Sequence, residues 1–124
     1  MESEFFPWRS HYAVGVEEMD QEHVELVRLV SELHEARGAA AKRALFEKLS
    51  AAIERHFDTE ERLMRDSGYS GLELHLRVHD ALLERLGTIK TPNRRVLGEM
   101  KDWLRDHVMI SDKPLAEFLK SRRA

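Results

Sequence analysis

The sequence lacks cysteine altogether. Disulfide bonds, thiolate metal sites and cysteine nucleophiles are therefore excluded, and a metal site would have to use nitrogen and oxygen donors. Internal repeats and low-complexity segments are missing too. The chain of 124 residues is long enough to bury a sizeable core, and we expect residues 1–124 to form a single domain.

Long apolar runs and a large excess of one charge are also missing. Residues 1–12, MESEFFPWRSHY, contain no apolar run of signal-peptide or membrane-spanning length. The formal net charge is only −3, which argues against a general electrostatic affinity for nucleic acid or an anionic membrane. We therefore expect a soluble, cytoplasmic protein with neither a nucleic-acid nor a membrane partner.

Helical periodicity fills most of the chain. Apolar residues recur at intervals of three and four along four stretches, and none of these shows a sustained strand alternation. The predicted helices run from about Val16 to Arg37, from about Ala41 to Asp66, from near Gly71, and from Thr91-Pro92, where Thr91 is the expected N-cap and proline takes the first helical position. Short linkers join antiparallel neighbours, so the predicted fold class is all-α, an up-down-up-down antiparallel four-helix bundle.

The two ends of the chain depart from this pattern. Periodicity stops near Ser111–Pro114, where the residue before proline should leave the helical region. A short C-terminal helix from about Leu115 to Ser121 is expected to follow. The N-terminal segment is aromatic without periodicity and is interpreted as an arm that covers the bundle, through Phe5, Phe6, Trp8 and Tyr12.

Histidine is plentiful, with 7 residues. Those on the apolar stripes occupy all four predicted helices and are His23, His56, His75, His79 and His107. Residues four apart project from one helical face, so the pairs His56/Glu60 and His75/His79 can each present two donors to one inward point. Asp112 lies five residues after His107 and could turn inward at the predicted break.

A lone histidine on an apolar stripe is ordinarily a core or rim residue, so the prediction rests on the set. Unpartnered buried polar groups cost on the order of 1–3 kcal/mol each. Several of them would cancel most of the unfolding free energy of a domain, which is roughly 5–15 kcal/mol. Metal offsets this cost, because neutral imidazole and ionised carboxylate are the metal-binding forms. Five imidazoles and two carboxylates are too many for one ion, so the set predicts a dinuclear site.

The choice of metal is open from spacing alone. Nitrogen and oxygen donors without sulfur suit iron, manganese, zinc or copper. Structural zinc usually takes four ligands in a closed tetrahedron, and this set is larger. Iron is therefore the leading choice.

The same residues resemble a known family. The matching elements, in chain order, are Trp8 with Tyr12, Val14 and Gly15, Met19-Asp20-Gln21-Glu22-His23, His56-Phe57-Asp58-Thr59-Glu60-Glu61 with Leu63-Met64, Tyr69, His75-x-x-x-His79, Trp103-Leu104-x-x-His107 and Asp112. In this pattern the chain resembles the hemerythrins, specifically the single-domain bacteriohemerythrins. The resemblance covers essentially the whole sequence, and no ligand position is missing.

The resemblance implies a non-haem di-iron centre that binds dioxygen reversibly, for storage, delivery or sensing. By position, one iron would be held by His75, His79 and His107 and the other by His23 and His56. Glu60 and Asp112 would bridge the two irons, with a solvent-derived oxo or hydroxo group as the third bridge. Because the second iron has one histidine fewer, the resemblance places dioxygen at its empty position.

Apolar neighbours match positions that line the dioxygen pocket in that family, namely Leu26, Phe57, Trp103 and Val108. Such a wall would exclude water and limit oxidation of the irons. Ordinary core packing is the alternative role, and both can hold at once. The chain departs from the family at two positions. Ser70 stands where the family often has proline, and Leu82 stands where an aromatic residue is common, a change expected to alter the shape of the pocket or access to it.

Two histidines match no ligand position. His11 lies in the arm, where a surface or capping role is expected. His34 lies on the first predicted helix, eleven residues after His23, which is roughly 16 Å at 1.5 Å per residue. That distance is too large for His34 to share the site.

The sequence is compatible with functions from three classes. The first is reversible dioxygen binding, and the alternative is a di-iron enzyme acting as an oxidase, a peroxidase or a scavenger of nitric oxide or peroxide. Di-iron carboxylate bundles of the ferritin type use Glu-x-x-His pairs, and this sequence has none. A site rich in neutral imidazole supplies little negative charge for high-valent iron, which favours oxygen binding over an enzyme, although weak oxidase or peroxidase activity stays open. A metal-free interaction bundle is disfavoured by the burial cost, and the sequence identifies no electron donor or oxygen-accepting protein.

Overall fold

The computed structural model describes residues 5–123, and over that range the regular secondary structure is entirely helical. Four long helices form an antiparallel bundle: α1 (Glu17–Glu35), α2 (Ala39–Ser67), α3 (Leu72–Thr88) and α4 (Arg94–Asp106). A π-helical segment, His107–Asp112, joins α4 to α5 (Lys113–Arg123). Helix α1 packs against α2 and α4, and α2 packs against α3 and α5. The predicted all-α four-helix bundle is confirmed.

The helices bury their apolar stripes against one another. The side chains with no exposed surface include Leu29, Leu33, Leu49, Ile53 and Met64. Burying an aliphatic side chain of this size contributes roughly 1.5–3 kcal/mol, so the core fixes how the helices face one another. In the part of the chain that the structure describes, no helix is long and apolar enough to cross a membrane.

The predicted arm lies across two helices. Phe6 is fully buried, and its backbone N–H donates to Ser31 Oγ at 2.9 Å while the Ser31 hydroxyl donates back to the Phe6 carbonyl at 3.0 Å. Lys101 Nζ donates to the Phe5 carbonyl at 2.6 Å and lies 4.9 Å from the centre of the Phe5 ring. Because Ser31 belongs to α1 and Lys101 to α4, the arm ties these two helices together.

Helix α4 begins later than the predicted start at Thr91-Pro92. Its N-cap is Asn93, whose side chain accepts a hydrogen bond from the backbone N–H of Val96 at 2.9 Å. Asparagine is among the strongest N-cap residues because its short side chain reaches these otherwise unpaired N–H groups. Pro92 therefore precedes the helix and is buried, and the predicted cap at Thr91 is wrong.

The predicted break at Ser111–Pro114 is also wrong, because the chain stays helical through the proline. Lys113, the residue before it, has helical dihedral angles of φ −62° and ψ −46°. Its N–H bonds to the carbonyl of Val108, five residues earlier, which is a π turn. Proline lacks an N–H and clashes with the carbonyl four residues earlier in a regular α-helix, and the wider turn accommodates it. Helix α5 therefore begins at Lys113 rather than at Leu115.

Candidate metal centre

The structure brings all seven predicted ligands together in the interior of the bundle. Each is buried, and none has more than 5% of its surface exposed. Helix α1 contributes one residue, α2 and α3 contribute two each, and the π-helical segment contributes the last two: His23, His56, Glu60, His75, His79, His107 and Asp112.

The donor atoms form two overlapping groups. One consists of Glu60, His75, His79, His107 and Asp112, and the other of His23, His56, Glu60 and Asp112. Within each group the donor atoms lie within 4.8 Å of one another. The two carboxylates belong to both groups, whereas each histidine belongs to one.

Glu60 directs one carboxylate oxygen to each group. Its Oε1 lies 3.0 Å from His75 Nε2 and 2.8 Å from His79 Nε2. Its Oε2 lies 3.1 Å from His56 Nε2, in the other group. His56 and Glu60 are four residues apart on α2, so the helix itself places both on the inward face. A carboxylate in this position can bridge two ions.

Asp112 also directs one carboxylate oxygen to each group, and the π-helical segment makes this arrangement possible. Residues five apart splay around a regular α-helix, whereas the wider π turn returns them to one side. Asp112 Oδ1 lies 2.9 Å from His107 Nε2, and Oδ2 lies 2.8 Å from His23 Nε2 on α1. The sequence-based expectation that Asp112 faces inward holds, although the reason is a widened turn and not a break.

Several donor atoms have a close neighbour but no hydrogen bond. Glu60 Oε2, His107 Nε2 and Asp112 Oδ1 are buried without a hydrogen-bond partner among the described residues. His107 Nε2 and Asp112 Oδ1 are nevertheless only 2.9 Å apart, and the Nε2 atoms of His23 and His56 are 3.1 Å apart. Ligands that share one ion at bond lengths of about 2.0–2.2 Å stand about 3 Å apart, with lone pairs aimed at the ion. The donor set therefore fits two metal ions.

The electrostatics of the cluster favour the ionised carboxylates. Burial and the neighbouring Asp112 raise the pKa of Glu60, but His56 and His107 outweigh them and hold it well below its usual range. Burial raises the pKa of Asp112, and the surrounding imidazoles hold it well below its usual range too. Both residues are therefore in the form that binds a cation.

The pKa is raised for three of the five imidazoles, whereas burial lowers the pKa of His79. Burial alone lowers the pKa of His75, but its close contacts with the Asp112 and Glu60 carboxylates raise it to about 9. Burial also lowers the pKa of His56, and the Glu60 charge with hydrogen bonds to its carboxylate neighbours raises it well above the usual value. Protons and metal ions therefore compete for the same nitrogen lone pairs.

Aromatic side chains stack on two of the candidate ligand rings. The Phe57 ring is stacked on His79 with 3.7 Å between centroids, and the Trp103 ring is stacked on His107 at 4.7 Å. Leu26, three residues after His23, and Val108, next to His107, are both buried. These are the four residues predicted to line a dioxygen pocket. That role stays a prediction, since packing in the core accounts for their burial as well.

The other two histidines lie outside the cluster, as expected. The His34 ring is stacked on Phe5 with centroids 4.0 Å apart. His11 is exposed and lies beside Tyr12 in a short 3₁₀ turn, Ser10–Tyr12.

Glu22 and Thr59 touch the cluster, and sequence reasoning gave neither a role. His56 Nδ1 donates to Glu22 Oε1 at 2.7 Å, and the Thr59 hydroxyl donates to Glu22 Oε2 at 2.8 Å. Burial raises the pKa of Glu22, but hydrogen bonds from His56 and Thr59 outweigh it and lower the pKa. Both residues lie off the apolar stripes of their helices, so periodicity predicts only solvated positions for them.

Comparison with known proteins agrees with this geometry. Residues 14–119 match the family described as Hemerythrin HHE cation binding domain. The chain is 29% identical over 108 residues to a myohemerythrin of Theromyzon tessulatum. The alignment covers 86% of this chain and 88% of the relative. It is 25% identical over 126 residues to a bacteriohemerythrin of Stenotrophomonas maltophilia (strain R551-3). That alignment covers 92% of this chain and 81% of the relative.

A solved structure shows the same fold. The crystal structure of a wild-type hemerythrin matches with a TM-score of 0.87 at 23% identity, covering 93% of this chain and 98% of that chain. The family match spans most of the sequence and includes all seven candidate ligands. The chain belongs to the hemerythrin HHE cation-binding family.

Proposed function

We propose that the protein binds dioxygen reversibly at a di-iron centre, in oxygen storage, delivery or sensing. The observation that carries the proposal is the unequal division of the donors. Two carboxylates are common to both groups, while three histidines belong to one group and two to the other. For two ions of the same coordination preference, the ion beside His23 and His56 therefore has one protein donor fewer and a position left for a small ligand.

Iron is the metal that suits this donor set best. Imidazole and carboxylate without thiolate suit iron, and the set is larger than a closed tetrahedral zinc site needs. When bound, reduced iron supplies the electrons that dioxygen accepts as it binds. The protein supplies the neutral imidazoles, the two shared carboxylates and the surroundings.

The surrounding side chains orient the donors and exclude water. Phe57 and Trp103 fix the ring planes of His79 and His107 by stacking on them. Leu26 and Val108 add buried apolar surface beside His23 and His107. An apolar surrounding limits the access of water and protons to the centre, and we propose that it slows irreversible oxidation of the iron.

The test is anaerobic reconstitution with ferrous iron, followed by exposure to air. We expect two irons per chain and an absorption band that appears with oxygen and disappears on deoxygenation. Iron content well below two per chain, or a spectrum that does not respond to oxygen, would overturn the proposal. Sustained oxygen consumption with an added reductant, rather than stoichiometric uptake, would favour the oxidase alternative.

A matched pair of histidine variants makes this test specific. His23 and His34 both lie on α1, but only His23 belongs to a donor group. We expect His23→Ala to lose one iron and the oxygen-dependent band. His34→Ala should keep both, because its ring contacts Phe5 and not the cluster.

A further inference from the structure

The ligand histidines differ in what their second ring nitrogen contacts. Among the described residues, His56 is the one ligand histidine whose Nδ1 donates to a carboxylate, Glu22 Oε1, at 2.7 Å. Over residues 5–123, the Nδ1 atoms of His23 and His107 are buried without a hydrogen-bond partner. The carboxylate contact therefore lies on the side of the cluster that has only two histidines.

Glu22 is itself held in place from α2. Its second oxygen, Oε2, accepts a hydrogen bond from the Thr59 hydroxyl at 2.8 Å. Glu22 belongs to α1, whereas His56 and Thr59 lie three residues apart on α2, so the carboxylate spans the two helices with both of its oxygens used. Its side chain keeps 28% of its surface exposed, unlike Glu60 at 0%. It can therefore stay charged without the full cost of burying a carboxylate.

We infer that Glu22 is a positioning residue that strengthens the ligand field on the two-histidine side of the centre. A carboxylate that accepts the Nδ1–H of a ligand imidazole fixes the tautomer, directs the Nε2 lone pair to the metal and makes the imidazole a stronger donor. The ion with fewer protein donors would thereby gain a stronger bond to one of them, the His56 imidazole. The inference rests on the proposed function, because it presumes two ions in the cluster.

Two consequences distinguish a positioning role from simple packing. Loss of the hydrogen bond should weaken the binding of one ion and leave the other unchanged. Loss of the charge alone should favour the reduced state of the iron, because a negative charge near a metal stabilises its higher oxidation state. Glu22→Gln removes the charge but keeps an oxygen acceptor, whereas Glu22→Ala removes both.

The first measurement is titration with cobalt(II), in competition with a chelator, of the wild type and of three variants. We expect Glu22→Ala to weaken one of two bound ions about 10–100-fold, and Glu22→Gln to weaken it less. The control is Glu18→Gln, which also removes a contact between α1 and α2, the exposed ion pair of Glu18 with Arg62 at 2.6 Å. That variant should match the wild type.

The second measurement is the midpoint potential of the iron-loaded centre. We expect both Glu22 variants to raise the potential, and Glu18→Gln to leave it unchanged. If wild type binds two cobalt ions but both Glu22 variants match Glu18→Gln in affinity and potential, the inference is wrong. If wild type itself binds fewer than two cobalt ions, the proposed function fails instead.

Discussion

At the residue scale, Glu60 has no exposed surface and lies against three of the five candidate ligand imidazoles at 3.1 Å or less. A carboxylate so far from water is stable only if positive charge or metal faces it. The same applies to Asp112. In each donor group, the positive charge that faces the two shared carboxylates comes either from protonated imidazoles or from metal. Replacing either carboxylate should therefore affect both donor groups.

Glu60→Gln tests this dependence with almost no change in volume. We expect metal content to fall from two ions to one or fewer per chain, because an amide does not bridge two cations. The metal-free variant should also lose about 3–5 kcal/mol of unfolding free energy, since breaking a buried ion pair leaves charge uncompensated. Elemental analysis and urea denaturation measure the two effects.

Glu61→Gln is the matched control on the next residue. Glu61 is partly exposed and pairs with Arg65 at 2.8 Å, and exposed pairs of this kind contribute little. This variant should keep both ions and nearly all of the stability. Retention of two ions by Glu60→Gln would show that Glu60 is not a bridge.

At the element scale, helices of two kinds place the pairs of candidate ligands. In α2 and α3 the paired ligands are four residues apart, the spacing that a regular α-helix brings to one face. His107 and Asp112 are five apart, and the π-helical segment brings them to one face instead. A π turn inside a longer helix is costly and frequently marks a functional site. Here the π turn places Asp112, the second shared carboxylate, in the donor cluster.

The start of α4 gives a prediction at the same scale. Asn93 caps the helix through Val96 N–H, so Asn93→Ala should lower the unfolding free energy by about 1 kcal/mol. Thr91→Ala is the comparison, because the sequence predicted the cap there and the Thr91 side chain is exposed. It should have little effect. A larger loss with Thr91→Ala than with Asn93→Ala would place the cap where the sequence suggested.

At the scale of the whole molecule, sequence periodicity predicts the bundle and the ligand set together, because one helical geometry controls both. The stripe that turns Leu49 and Ile53 inward also turns His56 and Glu60 inward. Contacts between helices are different. Glu22 meets His56 and Thr59 across 34 and 37 residues of sequence, and spacing within one helix carries no information about such pairs. The rule for residues before proline is local too, so it missed the π turn at His107–Asp112.

The buried cluster also makes the stability of the whole molecule depend on pH. Consider the chain stripped of metal by a chelator. Burial lowers the pKa of His75, but close contacts with the Asp112 and Glu60 carboxylates raise it from 6.5 to about 9. A raised pKa contributes stability that is fully present below the unfolded value, near 6.5, and lost as pH rises through about 9. The lowered pKa values of Glu60 and Asp112 contribute stability that is lost only in acid.

We therefore expect the unfolding free energy of the metal-free protein to fall as pH rises from 6.5 to about 9. His56 and His107, whose pKa values are also raised, should add to this fall. Metal affinity should rise over the same interval, because fewer protons compete for the imidazole lone pairs. Urea titrations of the chelated protein and metal titrations at matched pH values measure the two trends. Stability that stays level or increases with pH would mean that the carboxylates do not hold protons on the imidazoles when metal is removed.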